Sequence, residues 1–258
     1  MPNMLNSTLL WFTAIHGNTQ VSKRCKTNRI HQSHIKNNVI KALTILSKYI
    51  GQHAQFKSEL KNYGIHSRKQ SSIESFLRIL KANNSDILVW YSKAIKVLRP
   101  DEQLYLRFSK ITGIRKQEAI NSFNRIIDLA IENRIAEYYD SELSVLMHFK
   151  YPELFLRRTK NCYISFVPKD LVNEIANSQE VTYAMIRKRL NRQGLKVRIN
   201  ELRDYFGTYL RKHNVTKEEI DLLQGCIASE ILIRHYWSPK LKELGIRIFQ
   251  ALKNMDTI

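Results

Sequence analysis

Apolar residues recur at helical spacing along most of the chain. After a polar opening, Val39, Leu43, Leu46 and Ile50 fall on one helical face, Ile73, Phe76, Leu77 and Leu80 on another, and Ile87, Trp90, Tyr91, Ala94 and Leu98 on a third. Asn83-Asn84-Ser85-Asp86 separates the last two stripes and supplies a helix cap. Arg99-Pro100-Asp101 then breaks the pattern. Proline cannot continue the helix before it but opens the next one readily, so a domain boundary is expected here. Beyond it, Leu104, Phe108 and Ile111 form one stripe, and Ala119, Phe123, Ile126, Ile127 and Ala130 form the next.

The stretch 154–167 departs from this spacing. Leu154-Phe155-Leu156-Arg157-Arg158 and Cys162-Tyr163-Ile164-Ser165-Phe166-Val167 are short, aromatic and β-branched, and they flank the polar Thr159-Lys160-Asn161. That pattern predicts a hairpin. Helices resume over 171–176, over 183–190 with Gly194 as the stop, and over 199–213. Thr216 and Glu219 make a capping box ahead of Ile220, Leu222 and Leu223, and Gly225 ends that helix. A short helix over 230–235 leads to Tyr236, and Pro239 opens a last amphipathic helix through Leu241, Leu244, Ile248 and Leu252. The fold class expected is mainly α. It comprises a small N-terminal helical domain with a basic arm, residues 1–98, and a larger helical domain with one small β-hairpin, residues 99–258. Residues 1–38, rich in Asn, His, Lys and Arg, are expected to be mobile in part.

The 258 residues suit about two compact domains, and 43% hydrophobic residues suffice for an ordinary core. Charge adds more. Lys+Arg 42 against Asp+Glu 23 leaves a formal net charge of +19, which suits a polyanionic partner whose counterions are released on binding. Membrane surfaces are also polyanionic, but no apolar run reaches spanning length, and Leu9-Leu10-Trp11-Phe12 lacks the flanks of a signal peptide. Cys25, Cys162 and Cys226 are odd in number and far apart, as expected of reduced thiols in a cytoplasm. Cys25, His31 and His34 can supply three zinc ligands, yet no second nearby cysteine closes the site, and unrelated polar residues in a basic arm are the better reading. Neither a Walker phosphate loop nor a dinucleotide Gly-x-Gly-x-x-Gly is present, so nucleotide-dependent catalysis has no visible foothold.

Four residues in order, Arg115, Lys160, Arg203 and Tyr236, are what a metal-free machine for cutting a phosphodiester needs. Guanidinium forks grip the two non-bridging oxygens and bind more strongly as charge builds in the pentavalent transition state. Loss of one such donor costs about 3–4 kcal/mol of barrier, by analogy with oxyanion sites. A phenol with an ordinary pKa of about 10 needs that positive surrounding to ionise in part. A lysine on a hairpin can protonate the leaving 5′-oxygen. The covalent phosphotyrosine that results conserves bond energy, so rejoining needs neither ATP nor metal, and no cofactor is expected.

The motifs around these residues resemble those of the tyrosine recombinases, in particular the integrases of archaeal viruses and plasmids. Thr112-Gly113-Ile114-Arg115-Lys116-Gln117-Glu118-Ala119 is similar to the family's Thr-Gly-Leu-Arg-x-x-Glu-Ala, which implies Arg115 as the first phosphate clamp and Glu118 as its support. Phe155-Leu156-Arg157-Arg158-Thr159-Lys160 resembles the hairpin that carries the catalytic lysine. Arg203, followed by Tyr205-Phe206-Gly207-Thr208, matches the arginine of the His/Lys-x-x-Arg box. Leu222-Leu223-Gln224-Gly225 resembles the archaeal Leu-Gln-Gly, and Arg234-His235-Tyr236-Trp237-Ser238-Pro239 the nucleophile segment. The resemblance covers about residues 99–258. It implies a site-specific recombinase acting on double-stranded attachment-site DNA near the nucleoid, with His235 in a supporting role. It also implies a tetramer assembled by exchange of a terminal helix, for which the Leu241–Leu252 stripe is the candidate. Packing of that stripe on its own domain is the equal alternative.

Two positions depart from the pattern. Asn200 stands where the family has His or Lys, and an amide cannot usefully accept a proton near neutrality. Cys226 stands where archaeal relatives place an arginine, and a thiol matches neither its charge nor its donor count. A catalytically impaired, recombinase-derived DNA-binding protein therefore stays open as the alternative. Candidate phosphate contacts are Lys23, Arg24, Lys26 and Arg29 before the first helix, and Arg187, Lys188, Arg189, Arg192, Lys196 and Arg198 ahead of Arg203. Such contacts position a duplex without reading its sequence.

Overall fold

The computed structural model describes residues 26–65, 72–73, 76–77, 84–157, 160–226, 240–253 and 255, with residues 26–37 and 84–85 described in backbone only. The chain divides into two compact units, Met1–Lys81 and Ala82–Ile258.

In the first unit, α1 (Lys26–Tyr49) is followed by α2 (His53–Asn62). Helix α1 starts 13 residues before the apolar stripe that announced it at Val39. Its first half is built from Lys, Arg, Gln and Asn, which sustain a helix without leaving any apolar period to read. The buried face also differs from the expected one. Ile40 and Ser47 are buried with Leu43 and Thr44 half-buried between them, whereas Leu46 and Ile50 are exposed. Ser47 explains the offset: its hydroxyl bonds the Thr44 carbonyl (2.9 Å) and the His53 ring (3.2 Å), tying α1 to α2 through a polar residue that a hydrophobicity pattern ignores. Of the second expected stripe, Ile73, Phe76 and Leu77 are helical but exposed.

The second unit opens with α3 (Asn84–Ile95), whose Trp90, Tyr91 and Ala94 join the core of this unit. Packing thus groups α3 with the elements after Arg99-Pro100, while the sequence pattern grouped it with the helices before. Helix α4 (Pro100–Thr112) begins with proline at its first position, as expected, and α5 (Lys116–Ile131) follows after a three-residue corner. Helices α6 (Pro152–Phe155), α7 (Lys169–Ala176), α8 (Tyr183–Arg192), α9 (Ile199–Lys212), α10 (Lys217–Leu223) and α11 (Leu241–Leu252) follow. Tyr105, Leu106, Phe108, Phe123, Ile126, Leu129, Leu202 and Leu210 are fully buried where α4, α5 and α9 meet. Each such side chain contributes about 1.5–3 kcal/mol by leaving water.

Among the described residues the β-structure is a three-stranded antiparallel sheet, β1 (Tyr139–Asp140), β2 (Val145–Leu146) and β3 (Ser165–Phe166), in that order. Only part of the expected hairpin is strand. Leu154 and Phe155 lie in α6, and the two arms meet in a single bridge, Leu156 with Asn161, while Ser165–Phe166 pairs with β2. Behind the sheet lies a buried polar chain. Tyr138 donates its hydroxyl to Ser122 Oγ (2.9 Å) and meets His148 Nδ1 (2.6 Å), and His148 Nε2 meets Ser165 Oγ (2.8 Å). All four residues are essentially inaccessible to water.

Three helices share one starting device. Glu102, Glu118 and Glu219 each stand at the third position of a helix and accept the backbone N–H of the N-cap residue, at 3.0, 3.1 and 3.0 Å. All three are buried, and each also pairs with an arginine from a distant element: Arg189 of α8, Arg157 of the hairpin, and Arg247 of α11. Helix α11 buries Leu244, Ile248, Ala251 and Leu252, and its Gly245 lies against the Phe166 ring. Within one chain, then, this helix packs on its own unit.

Candidate active site

Helix α4 ends at Gly113, whose φ of 59° is in the left-handed region and whose Cα lies against the Phe206 ring of α9 with no room for a Cβ. This close approach brings the start of α5 next to α9. Arg115 is the N-cap of α5. Its Nη1 bonds both Glu118 carboxylate oxygens (3.0 and 3.3 Å) and the Asn161 carbonyl (3.2 Å). Arg203, on α9, spends Nη1 on the Gly113 carbonyl (3.0 Å) and Nη2 on the Gln224 carbonyl (2.7 Å), and Gln224 returns its side-chain amide to the Arg203 carbonyl (3.1 Å). Both guanidinium groups are therefore held by backbone carbonyls and buried carboxylate rather than left to rotate.

Helix α10 closes the ring. It ends in a double bond, Gly225 N–H to Leu222 C=O (3.0 Å) and Cys226 N–H to Asp221 C=O (2.7 Å), with Gly225 at φ 68°. Gly225 sits directly on the Asn161 carbonyl, where any Cβ would collide. The Asn161 carbonyl is thus touched from one side by Arg115 and from another by Gly225. Next to it is the hairpin turn. Arg157 and Lys160 exchange both backbone hydrogen bonds (3.2 and 3.4 Å), so they form a directly opposed pair whose side chains leave the same face. Arg157 Nη2 reaches Glu118 Oε1 at 2.8 Å, and Lys160 is exposed beside it.

Charge in this region is strongly one-sided. Burial first, and the Arg115 guanidinium second, hold Arg203 below the usual arginine pKa. Burial likewise pushes the Cys162 thiol well up, so it stays neutral in the wall of the site. Among the described residues, the buried Glu118 carboxylate pairs with both Arg115 and Arg157, and Arg203 lies close to them. Guanidinium forks with such an excess are suited to a phosphate.

The structure brings together Arg115, Glu118 and Arg203, and the backbone of Lys160 lies alongside, next to Asn161. Asn200 is exposed three residues before Arg203 on α9, and Cys226 is exposed immediately after Gly225, with Sγ 3.8 Å from the Gln224 carbonyl. Tyr236 and His235 lie outside the described residues, as do Lys23, Arg24 and Cys25. Lys26, Arg29, His31 and His34 belong to α1, in its part described by backbone alone. On α8, Arg187, Lys188 and Arg192 are exposed and, with Tyr183, Ala184 and Asn191, line an open groove of about 580 Å³. The Lys116 ammonium stands 3.8 Å over the Tyr183 ring. Arg189 turns the other way, into its pair with Glu102 at 2.6 Å. Lys196 is exposed, and its carbonyl accepts from Trp90 Nε1 (2.8 Å). Arg198 is committed to Glu201 and the Asp86 carbonyl. Sequence reasoning passed over Arg157, Asn161 and Gln224 as parts of the site. The tandem Arg157-Arg158 in an otherwise apolar arm was the one signal available.

The sequence model of the archaeal phage integrase family matches residues 102–242, more than half of the chain, and spans every box just described. The chain belongs to the archaeal phage integrase family. Membership makes it an integrase-type, site-specific DNA recombinase in outline, with DNA as its partner. Neither a curated protein nor a solved structure matches the chain. Among the described residues, no helix is long and apolar enough to cross a membrane.

Proposed function

We propose that this integrase cuts and rejoins DNA through a 3′-phosphotyrosyl intermediate formed on Tyr236, without metal or ATP. Arg115 and Arg203 grip the scissile phosphate, and their contacts strengthen as the pentavalent transition state gathers charge. Lys160 protonates the leaving 5′-oxygen. The observation that carries this reading is the meeting of Arg115, the Lys160 hairpin and the Arg203–Gln224 pair around the Asn161 carbonyl. Arg115 and Arg203 lie 88 positions apart in sequence, yet the Arg115 charge is close enough to help lower the Arg203 pKa. Exposed Arg187, Lys188 and Arg192 position the duplex on its phosphates, and copies of the chain assemble as a tetramer on DNA.

The test uses a pool of nicked duplexes of randomised sequence, in which cleavage releases a short strand and traps the covalent product. Denaturing electrophoresis should show a protein–DNA adduct with the wild-type chain and none with Tyr236→Phe. An adduct that persists in Tyr236→Phe refutes the assignment.

Exposed Cys226 beside Arg203 favours a second reading, a recombinase-derived DNA-binding protein with impaired chemistry. Adduct that forms with Cys226→Arg but not with the wild-type chain establishes that reading instead.

A further inference from the structure

We propose that Arg157 is a third phosphate-gripping guanidinium, one that restores at the Arg115 corner the positive charge that Glu118 cancels there. The inference rests on the recombinase reading and adds to it a catalytic residue on the hairpin.

Glu118 is almost wholly inaccessible, and its Oε1 receives Arg115 Nη1 at 3.0 Å and Arg157 Nη2 at 2.8 Å. With Arg115 alone, that buried pair is formally neutral, and a neutral pair has little pull on a phosphodiester. The second guanidinium on the same oxygen restores one positive charge where the first was cancelled. Exposure shows that Arg157 has donors to spare: its side chain is 45% accessible, against 24% for Arg115 and 1% for Glu118. An arginine present only to neutralise a buried carboxylate has no reason to keep nearly half its surface in water.

The hairpin aims this group. Arg157 is locked to Lys160 by both backbone bonds of the turn, and its N–H also meets Asn161 Oδ1 at 3.0 Å. Because opposed residues project from one face, Arg157 and Lys160 open onto the same space, and the Glu118 contact fixes that space next to Arg115. The other rim has less to offer. There Gly225 has no side chain, and exposed Cys226 carries no guanidinium. Arg157 therefore supplies donors from the hairpin side that the α10 side does not provide.

The experiment compares single-turnover adduct formation, on the duplex that the wild-type chain selects, for Arg157→Ala, Arg157→Lys and Arg157→Ala combined with Cys226→Arg. Melting temperature is followed in each. Arg157→Ala should slow adduct formation about 100-fold or more, and Arg157→Lys should recover a part. The added Cys226→Arg should recover at least about tenfold without restoring melting temperature, since a guanidinium on the opposite rim replaces the charge but not the Glu118 contact. A rate for Arg157→Ala within about threefold of wild type overturns the proposal. So does a loss that follows melting temperature and is untouched by Cys226→Arg.

If the wild-type chain itself gives no adduct, the recombinase chemistry fails, and the inference is then decided by titrating inorganic phosphate against ¹⁵N-labelled arginine side chains. Arg157 moving in step with Arg115 and Arg203 upholds it. Arg157 standing still overturns it.

Discussion

Lowering the pH from 7 to 5 should cost the folded chain about 2 kcal/mol through one residue, His148. The ring is sealed between Tyr138 and Ser165, and burial drives its pKa from 6.5 down to about 3. Hydrogen bonding is not the obstacle to protonation, because both partners are hydroxyls that can turn to accept. The cost is desolvation of the imidazolium. Between pH 6.5 and about 3 the unfolded chain holds a proton that the folded chain refuses, so stability falls as pH falls through this window. At pH 5 the unfolded ring is almost fully charged, and 1.5 units at about 1.4 kcal/mol each give the 2 kcal/mol. The loss should reach about 3 kcal/mol at pH 4 and level off near about 5 below pH 3. Urea denaturation of the wild-type chain and of His148→Gln, at pH 7 and pH 5, isolates the effect, since carboxylates titrate in both. His148→Gln should be weaker at pH 7 and lose about 2 kcal/mol less than wild type between the two conditions. Parallel losses in the two proteins would falsify the argument.

Two further outcomes follow from the glycine contact and the shared carboxylate. Gly225→Ala should lose about 1–2 kcal/mol from its left-handed φ alone, and more because the new methyl pushes the Asn161 carbonyl away. Its adduct formation should fall by more than its DNA affinity, measured by electrophoretic shift on the same duplex. Glu118→Gln should lower stability by about 2 kcal/mol in urea, because one amide cannot serve two guanidinium groups and the Arg115 N–H together. Stability equal to wild type in Glu118→Gln would show that the two arginines do not depend on this carboxylate.

The helices of the second unit were legible because their apolar residues repeat at 3.6 and their ends carry Pro100, Thr216 and Gly225. The polar half of α1 was not, since a helix of Lys, Arg, Gln and Asn leaves no stripe. Strands of two residues, such as Tyr139–Asp140 and Val145–Leu146, are too short to alternate, so the sheet escaped notice while the hairpin turn ahead of its last strand did not. The site was half legible. Arg115, Lys160 and Arg203 stand in recognisable boxes, but Arg157 acquires its meaning only from Glu118, 39 residues away in sequence. Asn161 contributes through its main chain, which no residue pattern reveals.

The glutamates at the third positions of α4, α5 and α10 hold their own helix starts by bonds that span three residues, which form on the fast local timescale. Their arginine partners arrive only with the slower joining of remote segments. Each helix can therefore be born with a vacant acceptor, a clasp set before its strap is threaded. Mutations at Arg189, Arg157 and Arg247 should then quicken unfolding while leaving the folding rate nearly untouched.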